Sequence, residues 1–302
     1  MPLISPAASW LAVVAKVGSI RKAAAQLNVS PSAVNRQMLK LEAEYGAELF
    51  ERLPRGLRPT AAGRVLVAEI ERWQQEHDRA IRTLAELRNH VRGHAAIGLM
   101  ESIAGQMVSG LMIAMREQHV QLSLDVTIGG TEQVLDLLLA GKLDLAICYA
   151  VPRRPEIQFL ARLPPRSGIV VARDHALAGR KSVRLADCAG YSFVFPDASL
   201  TVRPLIEKAF RRTGIHPPNM VTTNSIDVMK TLVREQGQVA WLSYYDVHAE
   251  ALEGAFVHLP IADRHVTGTS LSLIARKHAP LSPVAALVAK HLREQLQRLA
   301  AD

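Results

Sequence analysis

Between residues 5 and 46, apolar positions recur at helical spacing in three short runs, each with its own start and stop signals. Ser5-Pro6 is a cap followed by proline at the first helical position, and a helix through Leu11, Val14 and Ala15 ends at Gly18. Ser19 caps a second helix, through Ala23 and Ala24 to Leu27. Asn28-Val29 is a tight link, Ser30-Pro31 repeats the cap-plus-proline start, and Gly46 ends the third helix. Three short helices with so tight a link between the last two predict a helix-turn-helix.

The next stretch, "LFERLPRGLRPTAAG", sets Arg52, Arg55 and Arg58 around the turn formers Pro54, Gly56 and Pro59. It predicts a small basic hairpin, or wing, with Thr60 as the cap of a fourth helix. That helix is long, expected from about Ala61 to Asn89, with Gly93 as its stop. Leu66, Ile70, Trp73, His77, Ala80, Leu84, Leu87 and Val91 follow steps of mostly four and three, the spacing of a coiled coil. The stripe suits a seam between two chains, or a helix packed on its own domain.

From Ala95 the period changes. "AAIGLM", "QLSLDVTI", "LDLAICYA", "GIVVA", "YSFVFP", "NMVTTN", "QVAWLSYY" and "TSLSLIAR" read as strands. Between and after them, "AGQMVSGLMIAMRE", "TEQVLDLLLAGK", "TVRPLIEKAFRRTG", "SIDVMKTLVREQG" and "SPVAALVAKHLREQLQRL" read as helices. Such alternation predicts α/β architecture with largely parallel sheets.

Composition narrows the function. The chain has 302 residues, 49% hydrophobic, enough for two domains with separate cores. A formal net charge of +8 favours an anionic partner such as nucleic acid. No secretion signal and no membrane-spanning run is evident, so the expected location is the cytoplasm. Cys148 and Cys188 lack metal or redox spacing and read as small buried residues, a redox switch being the alternative. His90 and His94 have i,i+4 spacing without a further ligand, so they read as a solvated pair and no metal or cofactor is expected. There is no GxSxG elbow, HExxH or P-loop to suggest an enzyme. A solute receptor, or an α/β enzyme on the same fold, is the competing reading.

The segment "GSIRKAAAQLNVSPSAVNRQMLKLEAEYGAELFERLPRGLRPTAAG" resembles the N-terminal domain of LysR-type transcriptional regulators. "GKLDLAI", "ARDHALAGRKSVRLADCAG" and "FRRTGIHP" resemble the family's effector domain, so the likeness covers nearly the whole chain. It departs where many members have a leucine-proline pair (here "LMIAM") and "GIALLP" (here "QVAWLSYYD"). The resemblance implies an N-terminal all-α winged helix-turn-helix (residues 1–60), a dimerising linker helix (61–92) and an α/β effector domain (93–302). That domain would be like a periplasmic binding protein, with subdomain I at 93–163 and 267–302 and subdomain II at 164–266. It further implies a double-stranded DNA operator, a small-molecule effector and a homodimer or dimer of dimers, with RNA polymerase as partner if the protein activates.

On a helix that enters the major groove, Asn35 can pair with adenine and Arg36 with guanine. Ser30 and Ser32 can bond phosphate, and Pro31, Gln37, Arg52, Arg55, Arg58 and Thr60 complete the expected DNA face. The dimer seam would use Leu66, Ile70, Trp73, His77, Leu84 and Leu87. In α/β sheets ligands sit beyond the carboxyl ends of strands. That rule collects Glu101, Ser102, Ile103, Gly129, Gly130, Thr131 and Cys148 from one half, and Ser199, Thr201, Arg203, Asn224, Ser225, Trp241 and Ser243 from the other. Hydroxyls and helix starts suit a small carboxylate or amino acid, while Glu101 would repel an acid or instead pair with an amino group or Arg203. Each of these residues has helix capping as its plain alternative.

Overall fold

The chain opens with three helices, α1 (Pro6–Val17), α2 (Ile20–Leu27) and α3 (Pro31–Tyr45). The structure is a computed structural model and describes residues 5–53, 56–88, 92–118, 121–218, 221–264 and 266–301. Each helix starts on a serine. The hydroxyl oxygens of Ser5, Ser19 and Ser30 accept the amides of Ala8, Lys22 and Ala33 at 3.2, 3.4 and 3.2 Å. Such a cap stabilises a helix by ~1 kcal/mol. Gly18, Asn28 and Gly46 end the helices in the left-handed conformation, with φ of 67°, 54° and 63°. Asparagine tolerates that conformation better than most residues, which lets the chain turn sharply from α2 into α3.

The hairpin is β1 (Phe50–Leu53) and β2 (Gly56–Pro59), with Glu51 opposite Arg58 and Arg52 opposite Leu57. It is pinned from both sides. Glu42 of α3 accepts the amides of Leu49 and Phe50 at 2.9 and 3.4 Å, and the Leu57 amide donates to the Gly18 carbonyl at 2.8 Å. Thr60 then starts α4 (Ala61–Arg88), donating its hydroxyl to the Glu48 carbonyl at 2.7 Å and accepting the Gly63 amide at 3.0 Å. A Cβ on Gly63 would overlap the Leu49 carbonyl, so only glycine permits this approach of α4 to the hairpin.

Two expectations for α4 need correction. Gly93 does not stop the helix. It lies inside a strand, β3 (Arg92–Leu99), paired with Leu122. Nor is the whole apolar stripe a seam. Ile70 is 1% exposed in the core formed by α1–α3, with Leu66 packed beside it, because the first turns of α4 cover their own domain. Further along, Trp73 and Leu84 are 43% and 57% exposed, and His77 is half-buried. Arg55, His90, Val91 and the side chain of Leu87 lie outside the described residues.

Residues Met1–Ala85 and Glu86–Asp302 form two compact units. The second unit holds two five-stranded sheets. One contains β3, β4 (Gln121–Ile128), β5 (Leu145–Tyr149), β6 (Ile157–Leu163) and β12 (Leu271–Arg276), in the order β4-β3-β5-β12-β6. Around it pack α5 (Glu101–Glu117), α6 (Thr131–Leu139) and α10 (Pro283–Ala301). The other contains β7 (Ser167–Ala172), β8 (Phe193–Pro196), β9 (Val221–Thr223), β10 (Val239–Ser243) and β11 (Phe256–Pro260), in the order β11-β7-β10-β8-β9. Its helices are α7 (Arg203–Thr213), α8 (Ile226–Gln236) and α9 (Tyr244–Leu252).

The sheets are mixed rather than largely parallel. β3 pairs with β4 and β5 in parallel, and β8 with β9 and β10. β12 runs antiparallel to β5 and β6, and β7 antiparallel to β10 and β11. The chain crosses between the sheets after β6 and after β11. A strand entered by such a crossing escapes the right-handed βαβ geometry that makes neighbours parallel. The run "QVAWLSYY" also divides: Ser243 ends β10, and Tyr244 and Tyr245 open α9.

Aromatic and basic groups gather at the first crossing. The Arg166 guanidinium lies 4.2 Å from the centre of the Tyr244 ring, and the Tyr245 hydroxyl donates to the Pro164 carbonyl at 2.9 Å. His258 meets Tyr244 edge-on at 5.5 Å. Burial lowers the His258 pKa from 6.5 to about 4, against hydrogen bonds that act the other way. The folded state therefore binds fewer protons than the unfolded chain between these values. Stability from neutral His258 is complete above 6.5 and is lost as pH falls towards 4. The full loss is about 3 kcal/mol. His258→Gln should flatten this fall. The check is the urea midpoint at pH 7 and pH 4, read by Trp241 fluorescence with Trp10 and Trp73 replaced by Phe. An equal drop in both proteins would rule the effect out.

Candidate functional site

Two candidate surfaces lie in different units. In the first unit, α3 buries Val34, Met38 and Leu41 and turns its opposite side outward. Ser30, Pro31, Ser32 and Arg36 are exposed and Asn35 is half-buried. Ser32, Asn35 and Arg36 follow i, i+3, i+4 spacing and share one face. The Ser30 and Ser32 hydroxyls lie 3.0 Å apart, so the cap and the outward face are coupled. Gln37 is not with them. It lines a groove of about 390 Å³ with Lys40 and Tyr45 of α3, Ala8 of α1 and Trp73 of α4.

The hairpin separates its arginines. Directly opposed residues share a face, so Arg58 lies beside Glu51 and Arg52 beside Leu57, on opposite sides of the ribbon. Arg58 is held by Glu51 at 2.8 Å, which offsets its charge. Thr60 spends its hydroxyl on the start of α4, a structural duty where a phosphate contact was expected.

In the second unit, several helix starts converge where α5 of the first sheet meets α8 and α9 of the second. Ser102 at the start of α5 donates to Asp246 of α9 at 2.6 Å, and the Tyr149 hydroxyl donates to the same oxygen at 2.8 Å. The Ser243 amide donates to its other oxygen at 2.9 Å. Burial pushes the Asp246 carboxyl upward, while these three donors pull it down. Burial also raises the Tyr149 hydroxyl well above its usual value, and Asp246 beside it adds to the rise. Thr131, at the start of α6, donates its hydroxyl to the Tyr149 carbonyl at 2.9 Å. Gly130 lies beside the Ser199 carbonyl, and an added Cβ would meet it at an ordinary contact distance of 3.5 Å.

Glu101 does not pair with Arg203. Its carboxylate accepts the Ser225 hydroxyl at 3.1 Å and the Ile226 amide at 3.2 Å. Arg203 is committed elsewhere, to Glu207 and to the Pro196 carbonyl, each at 2.7 Å. Ser199 is held by Asp197, which accepts its amide and hydroxyl at 2.8 and 2.6 Å. Those bonds hold the Asp197 carboxyl below its usual range. Gly129 donates its amide to the Leu99 carbonyl, Thr201 is half-buried in the turn before α7, and Asn224 is exposed beside Ser225.

Three expected cleft residues belong to the core instead. Ile103 and Cys148 are 0% exposed and Trp241 is 1% exposed, because alternate strand and helix positions must face the packed layers. Tyr149, Asp197 and Asp246 were not anticipated. Ser243-x-x-Asp246 is a capping pattern and carried a legible signal for Asp246, but its serine sat inside a run read as strand.

Burial raises the thiols of Cys148 and Cys188 to about 12 each, which leaves little reactive thiolate. Among the described residues, no three His, Cys, Asp or Glu gather as metal ligands, and no helix is long and apolar enough to cross a membrane. His94 is paired with Asp125 at 3.0 Å.

Comparison with known proteins gives two family matches. Residues 8–64 match the bacterial regulatory helix-turn-helix protein of the lysR family, and residues 88–297 match the LysR substrate binding domain. The HTH-type transcriptional regulator CbbR of Xanthobacter flavus is 31% identical over 270 residues, covering 88% of this chain and 80% of its own. A full-length OxyR variant from Pseudomonas aeruginosa is similar in structure, with a TM-score of 0.64 at 18% identity over 97% of this chain and 96% of its own. Full-length CbnR in complex with its target DNA gives 0.51 at 21% identity, over 95% and 98%. At these identities the two structures speak for the fold.

Thr131 is 2% exposed and bonded to a backbone carbonyl, so its hydroxyl ties the start of α6 to the end of β5. Thr131→Val should lower the stability of the second unit by about 1 kcal/mol, the net worth of one buried hydrogen bond. Urea unfolding followed through Trp241 measures it. Wild-type stability in the variant would return Thr131 to the role of a free ligand group.

Proposed function

The chain belongs to the LysR family of transcriptional regulators, and from that premise we propose how its two surfaces divide the work. It is a regulator with an effector-binding domain, not an enzyme, as its relatives are. The first turns of α3 read a double-stranded operator in the major groove, with the hairpin on the flanking phosphates. One observation supports this above others: Ser32, Asn35 and Arg36 share the outward face of a helix whose Val34, Met38 and Leu41 are buried. Asn35 pairs with adenine, Arg36 with guanine, and Ser30 and Ser32 with phosphate oxygens.

The domains are read as residues 1–60 for DNA, 61–92 for the linker and 93–302 for the effector, with the crossings near 164 and 266 dividing the last into subdomains. The effector is a small carboxylate or amino acid held between the subdomains. α6 begins without a side-chain cap, which supports an anion at its positive end. Ligand preference for one arrangement of the subdomains then shifts the DNA-bound form.

Two copies present two α3 helices to a roughly palindromic operator, as a homodimer or a dimer of dimers. The exposed part of α4, with Trp73, Ile81 and Leu84, is the proposed seam. The protein works in the cytoplasm, with RNA polymerase as a further partner if it activates.

Asn35→Ala should cut discrimination between operator and scrambled DNA by about 1–3 kcal/mol, measured by fluorescence anisotropy at fixed salt. Unchanged discrimination would remove Asn35 from base reading. Trp73→Glu and Leu84→Arg should dissociate the native oligomer in sedimentation and weaken operator binding. Both variants sedimenting as wild type would count against the seam.

A further inference from the structure

Consecutive residues at the start of α5 make two different bonds to the other sheet's helices. Ser102 donates to Asp246, a carboxylate only 7% exposed, so breaking that bond strands a buried charge. Glu101 is exposed, and water can replace either partner when its bonds break. Its carboxylate nonetheless has a shaped receptor. One oxygen accepts the Ser225 hydroxyl at 3.1 Å and the other the Ile226 amide at 3.2 Å. Ser225 is oriented in turn, because its hydroxyl oxygen also accepts the Val228 amide at 3.4 Å. Glu101 is the first residue of α5, and Ile226 is the first residue of α8. The carboxylate therefore lies at the positive ends of two helices at once, one packed on each sheet.

We propose that Glu101 is a releasable latch between the two subdomains, which fastens the start of α5 to the start of α8 while the Ser102–Asp246 bond beside it acts as the permanent pivot. Opening the cleft trades two charge-assisted hydrogen bonds for water at Glu101 and leaves the buried bonds intact. The latch thereby sets the arrangement from which a ligand must move the domain. That last consequence rests on the reading of the cleft as the effector site.

The test uses the full-length protein with no ligand. Hydrogen exchange at the Ile226 amide should quicken on the order of tenfold in Glu101→Ala, the effect of losing one charge-assisted hydrogen bond. The core strand β12 should keep its wild-type protection. Glu101→Asp keeps the charge at α5 but is too short to reach Ser225 and Ile226, so it should behave as the alanine variant. Wild-type exchange in either variant would overturn the latch. A second measurement reads the arrangement itself, through spin labels at Glu132→Cys and Glu235→Cys, the native Cys148 and Cys188 being buried. The distance distribution should broaden in Glu101→Ala. An unchanged distribution would show that Glu101 holds nothing in place. Since neither measurement involves a ligand, failure of the effector reading would leave both results as expected.

Discussion

A single buried carboxylate organises the second unit. Asp246 gathers the Ser102 and Tyr149 hydroxyls and the Ser243 amide, and so joins the start of α5, the end of β5 and the start of α9. Removing any one donor leaves part of a buried charge unsatisfied, at a cost of several kcal/mol. Tyr149 carries the constraint further. Its hydroxyl serves Asp246, while its carbonyl accepts Thr131 at the start of α6. Three helix starts and two strand ends are thereby held in fixed relation.

The first unit was legible because its determinants are local. Ser5, Ser19 and Ser30 cap helices that begin one residue later, and Gly18, Asn28 and Gly46 close them. The outward face of α3 follows from helical spacing alone. Gln37 escaped that reasoning, since its direction depends on where α1 and α4 lie. The seam drawn along α4 failed at Leu66 and Ile70 for a similar reason. A stripe with steps of three and four says that a helix buries one side, but not which partner covers it.

The second unit was legible as strands and helices and illegible as contacts. Hydroxyls and glycines at strand ends marked the helix starts, yet the partners of Glu101, Ser102 and Arg203 are set by which helix start faces which. Glu101 bonds a residue from the other sheet, whereas Arg203 turns back on Glu207 one helical turn away. Mixed pairing was hidden too, because strand order records how the chain crosses between sheets rather than what each strand is made of.

Those crossings bear on how the protein is made. β5 is buried along its whole length and needs β12 on its open side, but β12 emerges from the ribosome only after the entire second sheet. Until then an apolar strand edge stands uncovered on the nascent chain, a template for wrong pairing with a neighbour. The second sheet, by contrast, is one continuous stretch and can close as soon as β11 is out. Biogenesis therefore runs in the reverse of reading order, with the middle of the effector domain complete before the part that precedes it, and the last helix sealing a sheet begun at the linker.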